Sequence, residues 1–142
     1  ATEYDITITQ TDIENLIRSK GAIYSAARVL VGSLGMSFDD IDRIYISGGF
    51  GSYLNVPRSI QIGLLPDLPV ERFQYAGNSS LAGAKLALLS REAMERSHEI
   101  ADRMTNLELC DEPSYMQEYV GSLFLPHTDI DLFPTVKQLV EG

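Results

Sequence analysis

The sequence predicts an α/β domain, a short sheet packed by helices, and three observations predict it. Two short stretches rich in β-branched or aromatic residues, Ile44-Tyr45-Ile46 and Phe73-Gln74-Tyr75-Ala76, each run into glycine. Apolar residues recur at three- and four-residue steps before the first stretch and after the second, so strands alternate with helices. The chain of 142 residues, 44% hydrophobic and 22% charged, is long enough for one core and ordinary in composition for a globular protein.

Taken in order, Ile6-Thr7-Ile8-Thr9 alternates apolar and polar residues and predicts a short strand. Thr11-Asp12-Ile13-Glu14 has capping-box spacing, with Thr11 at the N-cap and Glu14 at the third helical position. Behind it Ile13, Leu16, Ile17, Ile23, Ala26, Ala27, Leu30, Val31 and Leu34 form one apolar face of a long helix. Gly21 interrupts that helix at roughly 1 kcal/mol relative to alanine; it marks either a close approach or a tolerated glycine. Gly35 is placed to end the helix.

Ser37 caps a short turn, and Arg43–Ser47 is a short buried strand that enters the turn Gly48-Gly49-Phe50-Gly51. Asn55-Val56-Pro57 starts another helix, with Gly63 at its stop. Leu65–Pro69 is a connector, since its two prolines exclude regular helix. Phe73–Ala76 is the second strand, and Ser79 or Ser80 caps the helix Leu81–Leu89. A polar helix follows from Ser90 to Met104, with Met94, Ile100, Ala101 and Met104 facing inward and His98 solvated. Asn106–Cys110 reads as a third strand, Pro113–Leu123 as a helix, His127–Asp131 as a polar loop and Phe133–Val140 as a terminal helix. No repeat or linker divides the chain, so residues 1–142 are read as one domain.

Charge and cysteine content narrow the function. A net charge of −9 lacks the basic face of a nucleic-acid binder and the polybasic patch of a membrane binder. No apolar run approaches the ~20 residues of a membrane span. One cysteine, Cys110, makes no internal disulfide and no Cys-type metal or cluster site, and reads as a buried small hydrophobe. These features predict a cytoplasmic protein. The start at Ala1, without methionine or signal peptide, reads as a processed chain or a piece of a larger one.

Two turns carry the functional question. Gly48, Gly49 and Gly51 remove side chains at the carboxyl end of a strand, the edge where open α/β sheets bind ligands. On the residues alone, a turn that needs glycine for its dihedrals and a ligand-facing turn both stand. Gly77, Asn78 and Ser79 precede a helix whose first N–H groups suit an anion, or simply a cap. No nucleophile–base pair, phosphate loop or metal triad is present, so pattern supplies no catalytic residue and no metal ligand.

Six blocks in this order resemble one family: Ile8–Ile13, Lys20–Ile23, Asp40–Gly51, Ile62–Pro66, Gly77–Arg91 and Phe124–Pro126. The chain is similar to the C-terminal part of the reductive activators of corrinoid-dependent methyltransferases and corrinoid iron–sulfur proteins. The resemblance covers roughly residues 6–126 and implies that residues 127–142 are a peripheral tail. It implies a partial ribonuclease H-like domain of the actin-type ATPases, as in acetate and sugar kinases and Hsp70. It implies further that the full-length protein uses ATP with magnesium to drive electrons from an iron–sulfur cluster, in a domain absent here, to a Co(II) corrinoid protein, returning it to Co(I).

On this resemblance Gly48 and Gly49 match the glycine pair of the adenosine motif. Phe50, Gly51, Gly77, Asn78 and Ser79 join them as expected cofactor-binding residues. The family's phosphate loops, metal-binding acids and cluster cysteines lie outside the matched region, so the chain alone is expected to reduce nothing and to bind ATP weakly or not at all. The implied partner is a corrinoid protein, with a homodimer left open. The alternative is a non-catalytic interaction or dimerisation module with no nucleotide binding.

Overall fold

Thr9 sets the start of the first helix. The computed structural model describes residues 6–142, the side chain of Phe50 lying outside the described residues. Helix α1 spans Gln10–Ser33, and its capping box is Thr9 with Asp12 rather than Thr11 with Glu14. The Thr9 N–H and hydroxyl donate to Asp12 Oδ2 at 2.9 and 2.7 Å. Glu14 is taken up one turn to either side, by Gln10 at 3.3 Å and Arg18 at 3.7 Å. Ile6–Thr9 forms no strand, and Ile6 and Ile8 are exposed. Alternation alone makes no ladder where no neighbouring strand offers its N–H and C=O groups. At the other end Gly35, at φ +69°, closes the helix. Its N–H donates to the Gly32 carbonyl and that of Met36 to the Val31 carbonyl, a Schellman motif.

The buried side of α1 is not the predicted one. Lys20, Gly21, Tyr24, Ser25 and Val29 are buried, whereas Ile13, Leu16, Ile23, Leu30 and Leu34 are exposed. Ile17, Ala26, Ala27 and Val31 of the predicted face are half-buried; periodicity tells that a face is apolar, not which neighbour covers it. The neighbour on the buried side is α6 (Tyr115–Gly121). Gly21 permits the approach: a Cβ there would stand 3.2 Å from the Ser122 carbonyl oxygen.

The sheet has two parallel strands, β1 (Ile44–Ser47) and β2 (Phe73–Gly77). Parallel strands need a crossover. It runs through α2 (Gly48–Gly51), α3 (Val56–Gln61) and a 3₁₀ turn at Val70–Arg72. Asn55 caps α3 by accepting from the Arg58 N–H at 3.1 Å, and Gly63 at φ +74° ends it. Arg72 Nη1 donates to the Asp39 and Ile41 carbonyls at 2.9 and 3.0 Å, which ties the entry of β2 to the entry of β1.

After the sheet come α4 (Ser79–Leu89) and α5 (Arg91–Asp102), then α6 and α7 (Pro134–Glu141). Asn106–Cys110 is not a strand; a 3₁₀ turn occupies Leu109–Asp111, and Cys110 is exposed, not buried. Met94, Ile100 and Met104 are exposed as well, contrary to their predicted inward positions.

Tyr24 centres the core, its ring 5.7 Å from Phe38 and 5.3 Å from Phe133, with Val56, Ile60 and Phe73 in the same cluster. Residues 127–142 are therefore not peripheral in packing. Phe133 is 0% exposed, a burial worth roughly 1.5–3 kcal/mol, and Asp67 Oδ2 accepts from the Thr135 N–H at 2.8 Å.

Candidate functional site at the glycine edge of the sheet

Both glycine turns stand at the same edge. In the parallel register Ile44 pairs with Phe73, Tyr45 with Gln74 and Ile46 with Tyr75, and then Ser47 pairs with Gly77. Ala76 is thus an extra residue on β2. This local irregularity brings Gly77 level with Ser47, so the two chains leave the sheet side by side. Each does so through a glycine in the left-handed region, Gly48 at φ +89° and Gly77 at φ +62°, where an L side chain would be strained.

The glycines divide by what surrounds them. Among the described residues, a Cβ on Gly48, Gly49 or Gly77 would meet nothing within 4 Å. A Cβ on Gly51 would lie 2.7 Å from Ile46 Cγ2. Packing against β1 therefore accounts for Gly51, while no described residue crowds the other three. Gly48–Gly51 is itself a single helical turn, not an open loop. Asn78, not either serine, caps α4, its Oδ1 accepting from the Leu81 N–H at 3.0 Å. Ser79 is the first residue of that helix.

Sequence reasoning missed Tyr75. Its hydroxyl donates to the Leu54 carbonyl in the segment between α2 and α3. A tyrosine on a strand reads as packing, and nothing in the pattern shows where its hydroxyl ends.

The edge carries no titratable group in its glycine turns, so it suits binding and not proton transfer. The buried groups with shifted pKa sit elsewhere, between α1 and the segment after α6. Lys20 is 0% exposed, and desolvation lowers its pKa to about 8. Its Nζ donates to the Phe124 and Pro126 carbonyls. His127, read as part of a polar loop, is buried beside Tyr24 and Glu118. Its Nδ1 accepts from the Asp129 N–H at 3.0 Å, which leaves the proton of the neutral ring on Nε2, 3.3 Å from Glu118 Oε1. Arg28 Nε lies 3.2 Å from the same oxygen. Burial is the main cause holding His127 below its usual pKa. Among the described residues no three His, Cys, Asp or Glu side chains cluster as a metal site, and no helix is long and apolar enough to cross a membrane.

Residues 1–137 match the family described as the C-terminal domain of RACo, the ASKHA domain. The chain is 34% identical over 116 residues to the corrinoid activation enzyme RamQ of Eubacterium limosum, covering 82% of the chain and 20% of that protein. It is 31% identical over 100 residues to the [Co(II) methylated amine-specific corrinoid protein] reductase of Methanosarcina barkeri, covering 70% and 18%. Among solved structures it resembles a reductive activator for corrinoid, iron–sulfur protein, with a TM-score of 0.86 and 50% identity over 91% of the chain and 20% of that protein. The chain thus spans about one fifth of the length of the relatives it matches.

Proposed function

Because the chain belongs to the family of RACo C-terminal ASKHA domains, we propose that it supplies the adenosine-facing wall of an ATP cleft in a reductive activator of corrinoid proteins. In this reading the activator uses ATP to return a Co(II) corrinoid protein to Co(I). The corrinoid protein is the partner, a homodimer is the further association to test, and the compartment is the cytoplasm. The relatives' names support the activity, and each refers to a protein about four times the length of this chain.

One observation carries the site. Gly48, Gly49 and Gly77 present backbone that no described residue crowds, at neighbouring positions of one sheet edge, the place where α/β sheets take nucleotides. A purine nucleoside fits a bare main chain because no Cβ holds it off. We assign the triphosphate grip, the magnesium ligands and the iron–sulfur cluster to protein beyond these residues. Phe50, Asn78 and Ser79 flank the ledge, with Asn78 engaged as a cap.

The exposed apolar helices fit the same reading. Every residue of α4 but Ala87 is exposed, although the helix is apolar all round. A helix of that kind is ordinarily covered, and the remainder of a protein of the relatives' length is its proposed cover.

The test is Gly49→Arg in the full natural polypeptide, with MgATP affinity measured by calorimetry. Gly49 is not among the positive-φ glycines and no described residue crowds its Cβ position, so the fold should tolerate the change while the arginine occupies the ledge. Loss of MgATP binding is expected; unchanged affinity overturns the site.

A further inference from the structure

The ledge needs something to hold it, because its own elements are too short to stand alone. Helix α2 is one turn of four residues, and an isolated helical turn is not self-sustaining. Its main-chain exit is the Leu54 N–H donating to the Gly51 carbonyl at 3.2 Å. Leu54 then leads directly into Asn55, the cap of α3. The side-chain bond that crosses from the other strand to this exit comes from Tyr75, through its hydroxyl to the Leu54 carbonyl. Tyr75 pairs with Ile46, whose Cγ2 is the atom packed under Gly51. It also immediately precedes Ala76, the extra residue that brings Gly77 level with Ser47.

We propose that Tyr75 is the positioning residue of the nucleoside ledge. Its hydroxyl holds the exit of α2 against β2 and so sets the Gly48–Gly49 backbone opposite Gly77. The inference rests on the nucleotide reading above. Tyr75 acts through Leu54 and touches no reacting atom. Its ring is 51% exposed, so removing the hydroxyl leaves the core packing in place. What changes is the freedom of the ledge, and with it the ordering that a bound nucleoside must supply.

The experiment compares Tyr75→Phe, Gly49→Arg and the natural residue pair in the full natural polypeptide. Adenosine, MgATP and inorganic tripolyphosphate are the probes, with thermal unfolding as a control. Tyr75→Phe is expected to weaken adenosine and MgATP about fivefold to tenfold, the scale of one lost hydrogen bond. Tripolyphosphate affinity and the unfolding midpoint should stay unchanged. Equal weakening of all three probes would make Tyr75 a general structural residue and overturn the inference. So would unchanged adenosine affinity in Tyr75→Phe alongside loss of binding in Gly49→Arg, an outcome that leaves the nucleotide reading intact. Full adenosine binding by Gly49→Arg instead removes the nucleotide reading, and this inference with it.

Discussion

The buried ammonium of Lys20 donates to the carbonyl of Pro126 at 2.6 Å, joining the first long helix to a segment more than a hundred residues away. The same carbonyl packs against Gly63, where a Cβ would come within 2.1 Å of its oxygen. Three of the sequence blocks that carry the family resemblance, Lys20–Ile23, Ile62–Pro66 and Phe124–Pro126, therefore meet at one point. That point is formed by the crossover and the chain's last third, not by the glycine ledge.

Replacing Lys20 by methionine keeps the length of the side chain and removes the donor. The buried Pro126 carbonyl is left unpaired, at about 1–3 kcal/mol, and the part-buried Phe124 carbonyl loses its donor at a smaller cost. Relief of the desolvated charge offsets part of this. Lys20→Met is expected to lower stability by about 2 kcal/mol in urea unfolding. An unchanged midpoint would show that the clamp contributes nothing.

The same lysine gives a signature in alkali. Its pKa falls from 10.5 to about 8 on folding because burial disfavours the charge. Between those values the unfolded chain binds the proton and the folded chain does not, so this group makes stability rise with pH there. A neutral amine still has two N–H groups for its two carbonyls, so the clamp persists. The difference in stability between the natural protein and Lys20→Met should widen from pH 8 to pH 10. A constant difference contradicts the assignment.

Acid acts through His127. Glu118 on α6, Arg28, Lys20 and Tyr24 on α1, and Asp129 on its own loop surround the ring. Burial is the largest influence and holds the folded pKa below its ordinary 6.5. Below 6.5 the unfolded chain takes up the proton first, so the contribution is complete above that pH and is lost as pH falls through the folded value. Protonation also puts a hydrogen on Nδ1, which now accepts from Asp129. His127→Gln should flatten the fall in urea midpoint between pH 7 and pH 5; an unaltered slope would contradict this.

Two glycines should respond in opposite directions to alanine. Gly63 combines φ +74° with a Cβ position 2.1 Å from a backbone oxygen, and Gly63→Ala should cost about 2–4 kcal/mol. Gly32 lies inside α1 with nothing within 4 Å of its Cβ position, and Gly32→Ala should stabilise by up to about 1 kcal/mol. Thermal unfolding of both variants decides, and equal shifts would contradict the packing described.

Open apolar helices should make the 142-residue chain sticky on its own. Leu88 and Leu89 are 89% and 84% exposed. The isolated chain is expected to bind a hydrophobic dye and to associate with rising concentration, and Leu88→Glu with Leu89→Glu should reduce both. A monodisperse, dye-free monomer would contradict it.

Local chemistry was legible in the sequence wherever a few neighbouring residues decide the outcome. Gly35 and Gly63 end helices as read, because a left-handed residue there lets following N–H groups satisfy the last carbonyls. The two strands beside the glycines and the long helix also follow from local pattern. What escaped depends on partners distant in sequence. Ile6–Thr9 and Asn106–Cys110 have strand-like composition but no pairing neighbour, and the apolar stripe of α1 points away from the core. Nothing local marks Lys20 as buried, because its carbonyl partners lie more than a hundred residues away. At the candidate site, the glycines could be named from the sequence. Their side-by-side placement depends on the Ser47–Gly77 register and one extra residue in β2, which no composition reveals.

The most direct measurement is photolabelling of the full natural polypeptide with 8-azido-ATP, followed by mapping of the labelled peptides. The ledge predicts label in peptides holding Gly48–Gly51 or Gly77–Ser79, competed away by ATP. ATP-protected label confined to peptides lacking both turns would contradict it.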